Sequence, residues 1–485
     1  MTPKVTINKL ATRVPGLDEV LGGGLPEFSF NLIAGAPGCG KTTLAHQIMF
    51  ALATPERSAI YFTVLGEPPL KMLRYQQQFE FFDSSAINRS VRFINLSDDA
   101  LGGDLDKVLQ RIVAEVEEHM PALVFVDSFR SVVLENEGGG VKQTSLQLFV
   151  QQLSVLMTSW QATTFLIGEY FDKANANPVF TVADGLIWLR QSVLRNSMVR
   201  KMEIMKMRGQ ATLPGLHTFR ISPSGIEVFA PIVVRERRQP EVADSRVLTG
   251  IAHLDVMLGG GLPRGYSLLV AGPSGSGKSV LAAAFLAEGA RSGEKGVIAA
   301  FEQPPSQSRN RVIADLIATG DVGLVDSRAP DLSIDEIARL LVKEIRRLKA
   351  TRVVIDSLSG FELALAPTFR DDFRESLSGL VAVLAGEGVT SLLTSELEDR
   401  YTELSFSPYG TAFLTDAIVV MRYVEIESRL MRMVAVVKVR ASAHSDQLHQ
   451  FTISDDGIQI GEMRPAEEGM LSGRPGKHRA YPSSA

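Results

Sequence analysis

The sequence predicts two tandem α/β domains, each a mainly parallel sheet with flanking helices and a C-terminal antiparallel strand extension. Three observations predict it. Two loops of one pattern, Gly35-Ala-Pro-Gly-Cys-Gly-Lys41-Thr42 and Gly272-Pro-Ser-Gly-Ser-Gly-Lys278-Ser279, lie 237 residues apart. The hexapeptide Leu-Gly-Gly-Gly-Leu-Pro precedes each loop at that same spacing, at 21–26 and 258–263. Around both loops, short apolar runs alternate with stretches of helical periodicity, as in parallel strands joined by crossover helices.

In the first half, the apolar run 28–34 enters the glycine-rich loop as a strand, and 42–53 leaves it as a helix. Strands follow at 59–64 and 91–95, with a helix over 68–82 between them. Residues 104–120 have helical periodicity, and the short run 122–127 reads as a buried parallel strand. A helix over 143–160 leads to a strand at 163–168. Past Asp184 the strands 185–190, 199–207, 216–221 and 226–229 are separated only by turns, which makes them antiparallel.

The second half repeats these events. Strands are expected at 266–271, 296–301, 351–356 and 389–394, with a helix over 335–349. Closing strands follow at 417–423, 431–440, 450–453 and 458–460. Residues 234–246 are charged, contain Pro240 and lack apolar periodicity, as a linker does. The domains are therefore 1–233 and 247–460. Residues 461–485, rich in Gly, Pro, Ser and charge, read as a disordered tail.

A chain of 485 residues suits two domains, and its formal net charge of −5 does not favour a protein devoted to neutralising nucleic-acid backbones. The single cysteine, Cys39, rules out a disulfide framework and a cysteine metal cluster. Within the loop it reads as a tolerated small residue rather than a redox thiol. With neither a signal-peptide pattern nor a membrane-crossing run, a cytoplasmic protein is expected.

The loops carry the chemistry. Gly35, Gly38 and Gly40, and likewise Gly272, Gly275 and Gly277, let backbone N–H groups curl around a polyphosphate at a helix N-terminus. Lys41 and Lys278 would meet the β- and γ-phosphates of ATP. Thr42 and Ser279 would offer a hydroxyl to Mg²⁺, and Thr43 follows in the first loop's helix. Asp127 and Asp356, each ending an apolar strand and followed by Ser, complete the candidate metal sites.

Hydrolysis also needs a carboxylate to orient water. Glu302 directly follows a strand, whereas Glu67 stands further on, after a glycine. Late in each half, Lys206-Met-Arg208 and Lys438-Val-Arg440 place two cations on one side of a strand. Each pair is expected to reach a phosphate, as an arginine finger reaches a neighbouring subunit's nucleotide.

Together these residues resemble the KaiC family, tandem RecA-like P-loop ATPases of bacterial circadian clocks. The resemblance spans about 12–460 and rests on both hexapeptides and loops, Asp127-Ser128, Asp356-Ser357-Leu-Ser, Lys206-Met-Arg208-Gly209 and Thr415-Asp416…Tyr423-Val-Glu-Ile. It implies a homohexamer of two stacked rings with ATP between subunits, so that both cation pairs act in trans. It also implies signalling or Kai-type protein partners, a slow ATPase in the first domain, and a serine/threonine autokinase in the second.

The sequence departs from the family in three places. Leu65-Gly66 precede Glu67, and Glu302-Gln303 stand where the family has a glutamate pair. Ala412-Phe413 occupy the place of the clock protein's adjacent Ser-Thr phosphoacceptors, and only Thr411, Ser407 and Ser405 lie nearby. The leading expectation is therefore a KaiC-like signalling ATPase, ahead of an autokinase. A DNA-dependent RecA-like ATPase ranks below both, since no basic-aromatic strip is evident.

Overall fold

The computed structural model describes residues 7–64, 69–100, 105–127, 141–170, 178–194, 197–232, 245–301, 311–325, 332–365, 373–397, 414–426 and 428–463. The chain divides into two compact units, Met1–Pro231 and Ile232–Ala485.

In the first unit, every residue of the strand Phe30–Gly35 is buried, as both-face coverage of a parallel sheet requires. Alternation sends Leu32 and Ile33 to separate apolar clusters. This strand lies between Thr163–Glu169 and Gly185–Leu194, parallel to both. Beyond Thr163–Glu169 the sheet continues in parallel through Leu123–Asp127, Ala59–Thr63 and Val91–Asn95. Beyond Gly185–Leu194 it turns antiparallel through Ser197–Met207, Leu216–Ser222 and Gly225–Phe229.

The second unit has the same order. Ser267–Gly272 lies between Thr390–Glu396 and Ala417–Ile426. Arg352–Asp356, Gly296–Ala300 and Val322–Val325 extend one side, and Arg429–Val439, His449–Ser454 and Gly457–Met463 the other. Two RecA-like α/β units in tandem are what the sequence predicts.

Some boundaries differ for identifiable reasons. The helix expected over 68–82 spans Pro69–Gln76. Past it, Phe79 and Phe81 stack on each other, and the Glu80 amide bonds to the Pro223 carbonyl instead of continuing the helix. The expected helix over 104–120 is Leu105–His119, ended where Met120 turns left-handed at φ 45°. Residues 461–463, expected to open the tail, belong instead to the strand Gly457–Met463, which pairs with His449–Ser454, and 464–485 lie outside the described residues. Arg246, at the end of the expected linker, starts a two-residue strand paired with Leu262–Pro263. The helices Arg311–Ala318 and Phe373–Gly386 and the strand Val322–Val325 were not anticipated by periodicity. Among the described residues no helix is long and apolar enough to cross a membrane.

Candidate functional site

Each glycine-rich loop leaves the C-terminal end of its unit's central strand and enters a helix, Lys41–Leu52 or Lys278–Arg291. The capping residues Gly40 and Gly277 are left-handed, at φ 103° and 106°, and neither helix has a side-chain cap. A Cβ on Gly40 would stand 2.7 Å from the Cδ1 of Ile221, and one on Gly277 2.7 Å from that of Ile453; those side-chain tips could shift, but the left-handed backbone demands glycine. Uncapped helix N–H groups beside a positive helix end are the physical basis of anion binding there.

In the first unit Lys41 is buried and donates to the Ala36 carbonyl at 2.9 Å, holding the loop's curl. Thr42 Oγ1 and Tyr61 Oη both donate to Asp127 Oδ2, at 2.8 and 2.7 Å. A hydroxyl and one carboxylate, all oxygen, fit a Mg²⁺ ion that keeps most of its waters. Burial raises the Asp127 carboxyl above its ordinary value, opposed by the Tyr61 and Thr42 hydrogen bonds and the Lys41 charge. Burial likewise raises the Cys39 thiol, with Lys41 opposing, so this cysteine is a packed apolar residue rather than a reactive one.

In the second unit Lys278 donates to the Gly272 and Pro273 carbonyls at 2.9 and 2.8 Å. A cavity of about 260 Å³ opens there, with Gly275, Lys278, Ser279, Asp356, Glu396 and Ile453 on its walls. Asp356 Oδ1 accepts from Thr394 Oγ1 at 2.5 Å.

The expected water-orienting residues, Glu67 and Glu302, lie outside the described residues. Two other glutamates stand beside the loops and were missed. Glu169 ends the strand next to the central one, level with Gly35, and its carboxylate is 4.0 Å from Lys41 Nζ. Glu396 is level with Gly272 in the same way. The signal was present, because each ends an apolar strand as Asp127 and Asp356 do.

The cation pairs stand elsewhere. Lys206 pairs with Leu186, which pairs with Leu32, and the Arg208 amide bonds to Asp184 beyond the strand's start. That places Arg208 level with Phe30, five residues or about 17 Å from Gly35 along the strand. Lys438 and Arg440 occupy the same place, next to Asp416. Both pairs are thus at the sheet end opposite their own unit's loop. Lys206 donates to the Thr181 and Ala183 carbonyls and Lys438 to the Thr415 carbonyl. Burial holds both lysines below their ordinary value, helped by the neighbouring arginine and opposed by Asp184 or Asp416. Arg208 bonds to Asp184 at 2.9 Å and Arg440 to Asp416 at 3.1 Å.

A KaiC ATPase family model matches this chain twice, over residues 10–232 and 247–464. The chain belongs to the KaiC family. The circadian clock oscillator protein KaiC of Picosynechococcus sp. is 28% identical over 97% of this chain and 92% of its own length. KaiC 1 of Synechocystis sp. is 28% identical over 98% and 93%, and KaiC of Rippkaea orientalis 27% over 97% and 92%.

Beneath Asp127, this KaiC-family chain buries His46, whose ring lies 4.5 Å from that of Tyr61. Burial lowers His46 from 6.5 to about 4, with Gln76 opposing. The folded histidine therefore stays neutral while the unfolded one protonates, and the stability is present above pH 6.5 and lost as pH falls toward 4. Denaturant titrations across that range should show His46→Leu flattening the loss by roughly 3 kcal/mol.

Proposed function

We propose that the chain binds and hydrolyses ATP at both loops, as a double-ring hexamer whose nucleotide state serves signalling or clock-related regulation. The observation that carries this is the placement of the parts. Each unit gathers its loop lysine, its hydroxyl and its metal acid at one end of the sheet, and its cation pair at the other. Such a site is completed by the cation pair of a neighbouring copy, which makes hydrolysis depend on assembly.

In this reading Lys41 and Lys278 hold the β- and γ-phosphates, and the loop amides wrap them. Thr42 with Asp127, and Ser279 with Asp356, would hold Mg²⁺, which neutralises phosphate charge when bound. Glu67 and Glu302 orient the attacking water. Lys206/Arg208 and Lys438/Arg440 stabilise charge on the transferring phosphoryl group from the neighbouring subunit.

The kinase reading is the alternative for the second unit, and Ala412-Phe413 at the phosphoacceptor place count against it. Incubation with γ-labelled ATP separates the two. Steady phosphate release with no label retained on the protein is expected, whereas retained label would establish the autokinase.

A further inference from the structure

The two metal acids are held from opposite sides. Asp127 ends a strand lying between Ala59–Thr63 and Thr163–Glu169, and its hydroxyl partner Tyr61 comes from the former. Asp356 ends a strand lying between Gly296–Ala300 and Thr390–Glu396, and its partner Thr394 comes from the latter. Register makes the exchange explicit. Tyr61 pairs with Phe125, two residues before Asp127, whereas Ile298 pairs with Val354, two residues before Asp356. Leu166 pairs with Val126 and Leu393 with Ile355, so Ile167 stands where the second unit has Thr394.

The exchange extends below the acid. The Tyr61 ring is fixed between His46 at 4.5 Å, Phe93 at 5.5 Å and Phe125 at 5.8 Å. His46 is fully buried, and the Gln76 side chain is the polar group that acts on it. Five positions after the loop lysine, the second unit has Ala283 in place of His46. The first site therefore rests on a buried polar column, Thr42–Asp127–Tyr61–His46, while the second rests on Ala283 and Ile298 and takes its hydroxyl from Thr394.

We propose that Tyr61 is the positioning residue of the first metal site and Thr394 that of the second, so that the two sites depend on separate hydroxyls for divalent-metal binding. This rests on the nucleotide-site reading above. The Tyr61 hydroxyl donates to Asp127 rather than to the loop. It fixes the Asp127 carboxylate through one oxygen, and Thr42 can donate to that oxygen while keeping its lone pairs for a cation. A hydroxyl carried by a ring packed on three sides fixes the acid more firmly than solvent would, and loss of such a supporting hydrogen bond typically costs roughly 10–100-fold in metal affinity.

The test is equilibrium binding of the fluorescent, slowly hydrolysed analogue mant-AMPPNP to the full chain, titrated with Mg²⁺ and repeated in EDTA. In a Lys278→Ala background, which leaves the first site, Tyr61→Phe should raise the Mg²⁺ midpoint by roughly tenfold and leave the EDTA affinity unchanged. In a Lys41→Ala background, Thr394→Val should do the same to the second site. An unmoved midpoint in Tyr61→Phe overturns the proposal. So does an equal loss with and without Mg²⁺, the signature of simple packing damage. A Lys278→Ala parent that binds no analogue at all would remove the nucleotide-site reading and the assignment of Tyr61 with it.

Discussion

Lys41→Ala is expected to abolish most steady ATP turnover or ring assembly, and Lys278→Ala to leave a larger share of both. Lys41 is buried with its ammonium on the Ala36 carbonyl, so it is oriented before any phosphate arrives. A charge-assisted hydrogen bond contributes about 1.5–3 kcal/mol, so alanine should weaken nucleotide binding by roughly 10–150-fold. Turnover falls further, because the same ammonium acts on charge that grows in the transition state. The inequality between the variants follows from the family resemblance, in which the first domain is the slow ATPase. Phosphate release, with sizing in the presence of ATP, measures both effects. A Lys41→Ala protein as active and as assembled as wild type would sink this division of labour.

The sequence made the loops, the candidate acids at the strand ends and the parallel strands with their antiparallel extension readable, because each is written in contiguous residues. A Gly-rich turn before Lys41 or Lys278 and an apolar run ending in Asp127 or Asp356 need no distant partner to be recognised. Tyr61 and Thr394 were not readable. Each acts across a strand pair on an acid far along the chain, and a tyrosine or threonine in an apolar strand looks like ordinary core.

The hexapeptides show a different limit. Their repetition revealed the duplication but not their task. Gly22 lies so close to the Ala211 carbonyl that a Cβ would stand 2.2 Å from it, and Gly259 likewise meets the Ala443 carbonyl at 2.5 Å. Gln210 further ties that segment to the Leu21 and Gly24 carbonyls, both at 2.7 Å. The hexapeptides therefore brace the segments just after Arg208 and Arg440, far from the phosphate loops they precede in sequence. Local pattern could not show this, since the Gln210 contacts join residues 189 and 186 positions apart.

Those braced cation pairs give the second large effect. Arg208→Ala should lower first-site hydrolysis by about a thousandfold or more, the usual worth of an arginine finger. Stability should hardly change, because the Arg208 side chain is 60% exposed and its ion pair with Asp184 is a surface one. The geometry also dictates how the loss can be repaired. Arg208 is at the wrong end of the sheet to serve its own loop, so in the proposed ring an intact loop in one copy needs an intact arginine in another. Arg208→Ala and Asp127→Asn chains, each silent alone in a Lys278→Ala background, should regain activity when co-assembled. In a randomly mixed ring about a quarter of interfaces unite an intact loop with an intact arginine. Recovery near that fraction, measured as phosphate release from co-expressed chains, is the expected result. If co-assembled rings stay as silent as their parents, Arg208 does not act across the interface, and a site completed by a neighbour is no longer tenable.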